Sequence, residues 1–307
     1  MSAIVPRYPV YVISKGRADC CLTAKFLRED RVPFRLVVEP QERDEYIANG
    51  ATEMELLVAP FSNLGLGSIP VRNFVWEHSR GLGCSRHWVL DDNIKGFWRR
   101  WKARRIRCVS GPALYACEAF VDRYENVGVA GLNYYMFSPN KKKQPPFYLN
   151  VHVYSCLLIR NDLPYRWRGW YNEDTDLCLR VLSGGLCTVL LNAFLCQKMT
   201  TMTMKGGNSQ ELYKGDGRLV MSRSLERAWP GVVETTRKFQ RPQHKVKGSW
   251  RYFDAPLIRK AGVDPDRMPK VDNFGIELVQ KRESKSPEVR EMIRGHVKEV
   301  RSGTRSS

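Results

Sequence analysis

A short apolar run that ends in two aspartates and an asparagine carries the first residues that could do chemistry. Residues 87–90 read His-Trp-Val-Leu, and Asp91, Asp92 and Asn93 follow directly. Adjacent carboxylates repel each other unless a cation or hydrogen-bond donors lie between them. Their oxygens suit Mg²⁺ or Mn²⁺, which in such sites bridges to substrate phosphates, so we expect a metal here. A turn and helix N-cap ahead of residues 94–98 explains the same residues without a metal.

A second acidic segment begins another apolar-periodic stretch. Asn172, Glu173 and Asp174 stand at its start. Asparagine is a good N-cap, and acids are favoured in the first turn of a helix, so capping alone accounts for these residue types. Their occurrence together with the aspartate pair favours catalysis. In this interpretation Glu173 or Asp174 is a general base that takes a proton from an acceptor hydroxyl.

A lysine- and glycine-containing stretch after the last apolar strand is the third candidate. It comprises Lys198, Lys205, Gly206, Gly207 and Asn208. Glycines let backbone N–H groups approach phosphate oxygens, and lysines neutralise the charge on a leaving diphosphate. An ordinary surface loop has the same composition. Its position after a core strand favours a lid over the active site.

Alternating strand and helix patterns predict the elements that must position these residues. Strands are predicted at 9–13, 34–38, 55–58, 87–90, 128–132, 147–152, 153–159 and 186–195, and helices at 18–30, 72–80, 111–122 and 172–182. The spacing is that of βαβ units, so the first hundred or so residues are predicted to form an open, mostly parallel sheet. Ligands bind at the carboxyl ends of strands in such sheets, where Lys15, Glu39 and Asp91 fall. After Lys198 the pattern indicates loops.

The charge of the chain points to a polyanionic partner. The 307 residues include 50 lysines and arginines against 32 acids, a net charge of +18, and excess cations on a globular protein usually complement a polyanion. Residues 99–107 and 237–251 are basic clusters with interspersed aromatic rings, which suits phosphate contacts and base stacking. A solvated basic face is the alternative. The residues predicted to bind DNA are Arg99, Arg100, Trp101, Arg104, Arg105, Arg237, Lys238, Arg241, His244, Lys245, Lys247, Trp250 and Arg251.

The remaining reactive residue types do not form a recognisable motif. The nine cysteines are odd in number and lack Cys-x-x-Cys pairing, which indicates reduced thiols rather than disulfides or zinc. The five histidines are scattered, and no pair has metal-ligand spacing. Residues 1–9 lack an apolar signal region, and no apolar run approaches a membrane span. We therefore expect a soluble protein of the cytoplasm that has no contact with a membrane.

Three strings together resemble a known enzyme family. Val89-Leu-Asp-Asp-Asn-Ile94, Tyr171-Asn-Glu-Asp-Thr-Asp-Leu177 and Thr200-Thr-Met-Thr-Met-Lys-Gly-Gly-Asn208 are similar to motifs of the TET-associated glycosyltransferases of bacteriophages, and the resemblance covers roughly residues 8–250. It implies a GT-A-like α/β fold with an open, mostly parallel but mixed sheet flanked by helices. It also implies a UDP-sugar donor and, as acceptor, 5-hydroxymethylcytosine that a TET-like dioxygenase makes in DNA. A phage-encoded enzyme would work in the host cytoplasm.

The resemblance also implies roles for particular residues. The nucleotide would lie near Ser14, Lys15, Arg17 and Glu39, with Arg72 and Asn73 near the diphosphate, and Asp91, Asp92 or Asn93 would hold the metal. Asn93 departs from the usual Asp-x-Asp pattern, and there is no histidine placed after the last strand to complete the metal site. The implied reaction is hexosyl or pentosyl transfer with inversion. Transfer to a non-DNA acceptor, or a non-catalytic basic protein that binds nucleic acid, are the alternatives.

The predicted organisation has four parts. Residues 1–110 form a nucleotide-sugar-binding half, and residues 111–215 form the acceptor and catalytic half of the same domain. Residues 216–280 form a basic C-terminal extension. Residues 281–307 form a charged helix and a flexible tail.

Overall fold

A computed structural model describes residues 4–101, 104–140, 144–169, 171–199, 206–207, 215–238 and 240–264. The chain divides into two compact units, Met1–Lys260 and Ala261–Ser307. Every helix and strand named below belongs to the first unit. The predicted helix and tail at 281–307, the predicted extension beyond residue 264, and the candidate residues Lys205 and Asn208 lie outside the described residues.

Ten strands form one mixed sheet. They are β1 (Val10–Ile13), β2 (Arg35–Val38), β3 (Leu56–Val58), β4 (Arg86–Asp91), β5 (Ile94–Trp101), β6 (Arg104–Cys108), β7 (Val127–Tyr134), β8 (Phe147–Leu149), β9 (Cys156–Arg160) and β10 (Cys187–Lys198). The order is β3-β2-β1-β4-β9-β7-β10-β5-β6, with β8 also paired to β10. The first four strands of this order are mutually parallel, as are β7 and β10. The other pairs are antiparallel.

Helices flank the sheet, and a two-stranded hairpin follows it. The helices are α1 (Leu22–Glu29), α2 (Arg43–Ala48), α3 (Ile69–Gly81), α4 (Ser110–Val121), α5 (Glu173–Ser183) and α6 (Gly217–Ala228), and the hairpin pairs β11 (Val233–Lys238) with β12 (Arg241–Val246). Helices α3 and α5 share one apolar core: Trp76 of the former packs with Leu177 and Val181, spaced four apart on the latter. No helix within the described ranges is both long and apolar enough to span a bilayer.

The predicted α/β alternation is confirmed, and the structure corrects it at several places. Residues 94–98 begin strand β5, paired with β10, so the helix N-cap interpretation of Asp92 and Asn93 is wrong. The strand predicted at 147–152 ends at Leu149. Residues 217–246, assigned to loops, form α6 and the hairpin. Lysines and arginines interrupt the apolar pattern of these late elements, which are built on one small apolar cluster around Leu225 and Val246.

The strand directions bring the candidate residues to one edge of the sheet. Strand β9 is antiparallel to both β4 and β7, so β1, β4, β7 and β10 all run the same way. Their carboxyl ends carry Ser14, Asp91, Tyr134 and Lys198. Open α/β sheets bind ligands at this edge.

Candidate active site

Asp91 forms an ion-paired cluster at the carboxyl end of β4. Its Oδ2 lies 2.6 Å from Lys198 Nζ, and its Oδ1 lies 3.3 Å from Arg72 Nη2. Lys198 also donates to Ser155 Oγ at 2.9 Å. Burial by itself would raise the pKa of Asp91, but Lys198 and then Arg72 hold it below its ordinary value. Burial would lower the pKa of Lys198, yet Asp91 raises it. Both groups are therefore charged at neutral pH.

Asp92 faces the exit of β1 instead. Its Oδ1 lies 2.5 Å from Arg17 Nη1, and its Oδ2 accepts a hydrogen bond from Ser14 Oγ at 2.7 Å. Tyr46 donates to Ser14 Oγ in turn, at 2.6 Å. Burial raises the pKa of Asp92 even though Arg17 lowers it. The two neighbouring aspartates thus point to different cations, which relieves their repulsion.

The oxygens at residues 91–93 are of the kind that Mg²⁺ takes, although those of Asp91 and Asp92 already contact Lys198, Arg72, Arg17 and Ser14. Asn93 is buried, and its Oδ1 accepts no hydrogen bond from any residue the structure describes. Within that part of the chain, no three histidines, cysteines or acids are close enough to form a metal cage of their own. Two carboxylates and one free amide oxygen are the kind of donor set that Mg²⁺ uses beside nucleotide phosphates.

One buried arginine joins the two acidic segments. Arg72, on the first turn of α3, contacts Asp91 as above, and its Nε lies 3.3 Å from Glu173 Oε1. Ser68 Oγ donates to the same Glu173 oxygen at 2.9 Å. The guanidinium lies 4.7 Å from the Trp167 ring centroid, a cation–π contact. Its Nη1 is buried and has no hydrogen-bond partner among the described residues.

Asn73, the neighbour of Arg72, makes a different set of contacts. Its Nδ2 donates to the Trp167 carbonyl at 3.0 Å, and its Oδ1 accepts the Trp167 N–H at 2.9 Å. The Asn73 amide thus fixes the ring on which Arg72 lies. Its predicted contact with the donor stays a prediction.

The start of α5 separates its two acids. Asn172 adopts a left-handed conformation with φ of 55° and forms no side-chain cap; its Nδ2 donates instead to the Met221 carbonyl of α6 at 3.0 Å. Capping by Asn172 therefore does not explain this segment. Glu173 points to Arg72, whereas Asp174 Oδ2 lies 3.2 Å from His152 Nε2. Burial raises the pKa of Glu173. Burial acts the same way on Asp174, but His152 and Arg72 lower its pKa well below the ordinary value.

Two histidines lie beside the acidic start of α5, a placement that the sequence did not predict. Thr175 Oγ1 lies 3.2 Å from His152 Nε2 and 3.4 Å from His244 Nε2. Trp250 lies parallel to the His152 ring, with an interplanar angle of 12° and 6.1 Å between centroids. Burial and then His152 lower the pKa of His244. No spacing rule links residues 152, 174, 244 and 250, so only the fold identifies this group.

Asp176, two residues after Asp174, has a structural role. Its carboxylate lies 3.0 Å from Arg168 Nη2 and 2.8 Å from Arg180 Nε, and it accepts the indole N–H of Trp229 at 2.8 Å. This bond ties the segment after α6 to helix α5. The hairpin that carries His244 is held beside the acidic helix start in this way.

The glycine loop packs on the exit of β1. Gly207 N–H donates to the Lys15 carbonyl at 2.9 Å, and Arg17 Nη2 donates to the Gly206 carbonyl at 3.2 Å. Gly206 has φ of +74°, and a Cβ there would lie 1.9 Å from the Gly16 carbonyl oxygen. Only glycine permits this approach. Phosphate binding by the loop stays a prediction.

Lys15 and Glu39 meet at the ends of β1 and β2. Lys15 Nζ lies 3.1 Å from Glu39 Oε2 and donates to Asn63 Oδ1 at 3.0 Å. Burial would raise the pKa of Glu39, but the Asn63 N–H, Gln41 and Lys15 lower it. Glu39 is therefore an ionised acceptor at this edge.

The two basic clusters differ in their surroundings. Arg100 donates to the Ser138 carbonyl at 3.1 Å, and the guanidinium of Arg105 lies 3.8 Å from the Tyr135 ring centroid. Lys245 pairs with Glu234 at 2.9 Å. Arg99 is partly buried, and Trp101 is 41 % exposed. The exposed cations of the predicted DNA-binding set are Arg104, Arg237, Lys238, Arg241, Lys245, Lys247 and Arg251.

This architecture defines the class of protein. A mixed α/β sheet flanked by helices, with acids, arginines and a lysine gathered at its carboxyl edge, fits a GT-A-like transferase. The chain matches the TET-Associated Glycosyltransferase family over residues 8–207. It belongs to that family and is a glycosyltransferase. No curated protein matches the chain. Helix α6 and the hairpin, with His244 and Trp250, lie beyond the family match.

Proposed function

We propose that this glycosyltransferase moves a sugar from a UDP-sugar to the hydroxymethyl group of 5-hydroxymethylcytosine in DNA. The observation that carries the proposal is the double contact of Arg72 with Asp91 and Glu173, each at 3.3 Å. It joins a strand-end cluster suited to a diphosphate to an acidic helix start suited to proton transfer. A transferase with an activated hydroxyl as acceptor needs both in one cleft.

On the donor side of the site, residues at strand ends and nearby cations would bind the nucleotide sugar. Ser14, Arg17 and Glu39 stand at the ends of β1 and β2, where the nucleotide would lie. Lys198 and Arg72 would stabilise the charge that develops on the leaving diphosphate. The buried Nη1 of Arg72, which lacks a hydrogen-bond partner among the described residues, suits a phosphate oxygen because guanidinium donors match phosphate geometry.

Asp91, Asp92 and Asn93 would hold Mn²⁺ or Mg²⁺ on this donor side. When bound, the metal supplies a Lewis acid for the leaving diphosphate. The protein itself positions the carboxylate oxygens. Ser14 and Arg17 orient Asp92, while Lys198 and Arg72 orient Asp91.

Asp174 is the base that this arrangement favours on the acceptor side. His152 and Arg72 hold the Asp174 carboxyl ionised at neutral pH, so it can accept the proton of the attacking hydroxyl, although the lowered pKa makes it a weaker base than an ordinary aspartate. Glu173, on the other side of the helix start, positions Arg72 through their ion pair. His152 orients Asp174 at 3.2 Å. Attack on the face opposite the leaving diphosphate gives inversion at the sugar carbon.

The net charge of +18 supports DNA as the acceptor. A TET-like dioxygenase that oxidises 5-methylcytosine would provide the hydroxymethyl group, so the two enzymes would act in sequence on the same DNA. The activity would then belong to the cytoplasm of the host cell if a phage encodes the protein.

The test is incubation with a panel of nucleotide sugars and DNA that contains 5-hydroxymethylcytosine, followed by mass spectrometry of the nucleosides. We expect a mass gain on that base and none on cytosine. Asp174→Asn and Glu173→Gln should lose transfer yet keep the circular-dichroism spectrum of the folded wild type, whereas Asp162→Asn and Glu234→Gln, exposed or partly exposed matched changes, should retain it. Full activity of Asp174→Asn would remove the base assignment. Sugar transfer without DNA would identify a different acceptor.

A further inference from the structure

A row of aromatic rings runs along the acceptor side of the site. Phe137 and Tyr134 lie 5.5 Å apart between ring centroids, Tyr134 and Tyr154 4.3 Å, and Tyr154 and His152 5.0 Å. His152 and Trp250 continue it at 6.1 Å with near-parallel planes. The five residues come from three separate chain segments. The aromatic row, as these five are called below, is therefore a product of the tertiary fold.

Core packing alone does not account for the whole row. Tyr154 and Trp250 do pack partly against the apolar core. At the other end, however, Phe137 is 55 % exposed and its neighbour Met136 is 68 % exposed. Both belong to the single-turn helix Tyr135–Phe137 that follows β7. Burial would normally remove such large apolar groups from water, so their exposure together beside an active site indicates a ligand surface.

The row connects the two halves of the reaction centre. Tyr134 OH hydrogen-bonds to Ser155 Oγ, which accepts a hydrogen bond from Lys198 beside Asp91. Farther along the row, His152 contacts the candidate base Asp174 at 3.2 Å. The row therefore extends from the Lys198–Asp91 pair to the candidate base.

Cations lie near both ends. The Arg105 guanidinium lies over Tyr135, next to Met136 and Phe137. Lys247 and Arg251, both exposed, adjoin Trp250. Aromatic rings flanked by cations, which are exposed at the Trp250 end and partly buried at the Tyr135 end, fit a ligand that alternates flat bases with phosphates.

We propose that the aromatic row is the track of one nucleic-acid strand, on which unpaired bases stack while flanking cations contact their phosphates. This inference concerns the form of the acceptor and so rests on the proposed function. The enzyme accepts bases that are single-stranded or extruded from the duplex. Stacking tolerates any base, because every base has a π face. The sugar is then transferred to the base whose hydroxymethyl group lies within reach of Asp174.

The test measures strand binding separately from sugar transfer. Fluorescence anisotropy with a labelled, unmodified single-stranded oligodeoxynucleotide, without nucleotide sugar, gives the Kd of the wild type and of Phe137→Ala, Phe137→Tyr and Leu82→Ala. Phe137→Ala should raise the Kd about tenfold, the effect of one lost base–aromatic stack. Phe137→Tyr retains a ring and should stay within about twofold of the wild type.

Leu82→Ala is the matched control for exposed apolar surface. Leu82 is 59 % exposed and follows α3 at the opposite edge of the sheet, ahead of β4. Its change should leave the Kd unaltered. With DNA containing 5-hydroxymethylcytosine, Phe137→Ala should raise the KM for DNA and leave the KM for the nucleotide sugar at the wild-type value.

The results separate the track from the proposed reaction. A wild type that transfers no sugar to this DNA would refute the acceptor, while the anisotropy, made with unmodified strands, would still decide the track. Equal affinities of the wild type and Phe137→Ala for the single strand would overturn the track. So would an equal loss of affinity in Leu82→Ala.

Discussion

Arg72→Met tests whether one buried guanidinium holds the two acidic segments together. The change keeps an apolar side chain beside Trp167 and removes the contacts to Asp91 and Glu173. Asp91 keeps Lys198 at 2.6 Å. Glu173 keeps the hydroxyl of Ser68 but loses its cation. Removing one partner of a buried ion pair costs about 3–5 kcal/mol, because the remaining charge stays buried.

Protonation of Glu173 limits this cost. Neutralising a carboxyl whose ordinary pKa is about 4.3 costs roughly 1.4 kcal/mol for each pH unit above that value, or between 3 and 4 kcal/mol at pH 7. We therefore expect the variant to unfold with a free energy about 3 kcal/mol below the wild type at pH 7. At pH 5 the same protonation costs about 1 kcal/mol, so the deficit should shrink.

The direction of this pH dependence follows from the pKa of Glu173. Burial already raises it in the folded protein, and Arg72 opposes the rise. Without Arg72 the folded-state pKa rises further above the unfolded value, so the folded state binds the proton more tightly. The stability of the variant should then fall as the pH rises from about 4.3 toward the folded-state pKa.

Urea unfolding followed by circular dichroism at pH 5 and pH 7 measures both effects. Arg80→Met on the same helix is the control, because Arg80 pairs with Glu77 at 2.9 Å while both side chains are about half exposed. Such a surface pair contributes about 0–1 kcal/mol. Equal deficits for Arg72→Met and Arg80→Met, or an Arg72→Met deficit that does not change with pH, would refute the reasoning.

Three further predictions concern the donor side. Lys198→Met should lower kcat about 100-fold by removing a cation from the leaving diphosphate, while Lys95→Met, on β5, should stay near wild type; steady-state kinetics checks both. Gly206→Ala should raise the KM for the nucleotide sugar several-fold, because the added Cβ clashes with the Gly16 carbonyl. Gly215→Ala should not raise it, because Gly215 also has a positive φ, +59°, but a Cβ there has no atom within 4 Å. Equal effects of the two changes would point to backbone strain alone. Chelation by EDTA should abolish transfer and added Mn²⁺ or Mg²⁺ restore it; undiminished activity in EDTA would remove the metal from Asp91, Asp92 and Asn93.

The residues at the ends of apolar strands are the part of the site that could be predicted from the sequence. Asp91 stands at the end of an apolar run, and Lys198 at the end of another. Parallel strands place such residues at one edge, where the strand pattern predicts Lys15, Glu39 and Asp91. The Lys198–Asp91 ion pair, between residues 107 positions apart, was not predicted and depends on the strand order. Gly206 and Gly207 likewise lie beside the β1 exit.

The part that was missed depends on side chains meeting across distant elements. His152 lies between β8 and β9, and His244 lies on a hairpin whose strands carry several cations. Neither shows a spacing relation to Asp174. Asn73 is adjacent to Arg72 in the chain, yet its amide binds the Trp167 backbone. The composition of a segment does not tell which of its neighbours its side chains will face.

The sequence by itself determined the α/β class, the positions of the two acidic segments and the excess of positive charge. These are local properties: hydrophobic period, residue type and net charge are readable in windows of a few residues. The tertiary structure alone decided that Arg72 joins Asp91 to Glu173, that Asp174 faces His152 and that five rings line up beside them. Those contacts depend on strand order and on the docking of α6 and the hairpin, which long-range packing fixes and no local pattern encodes.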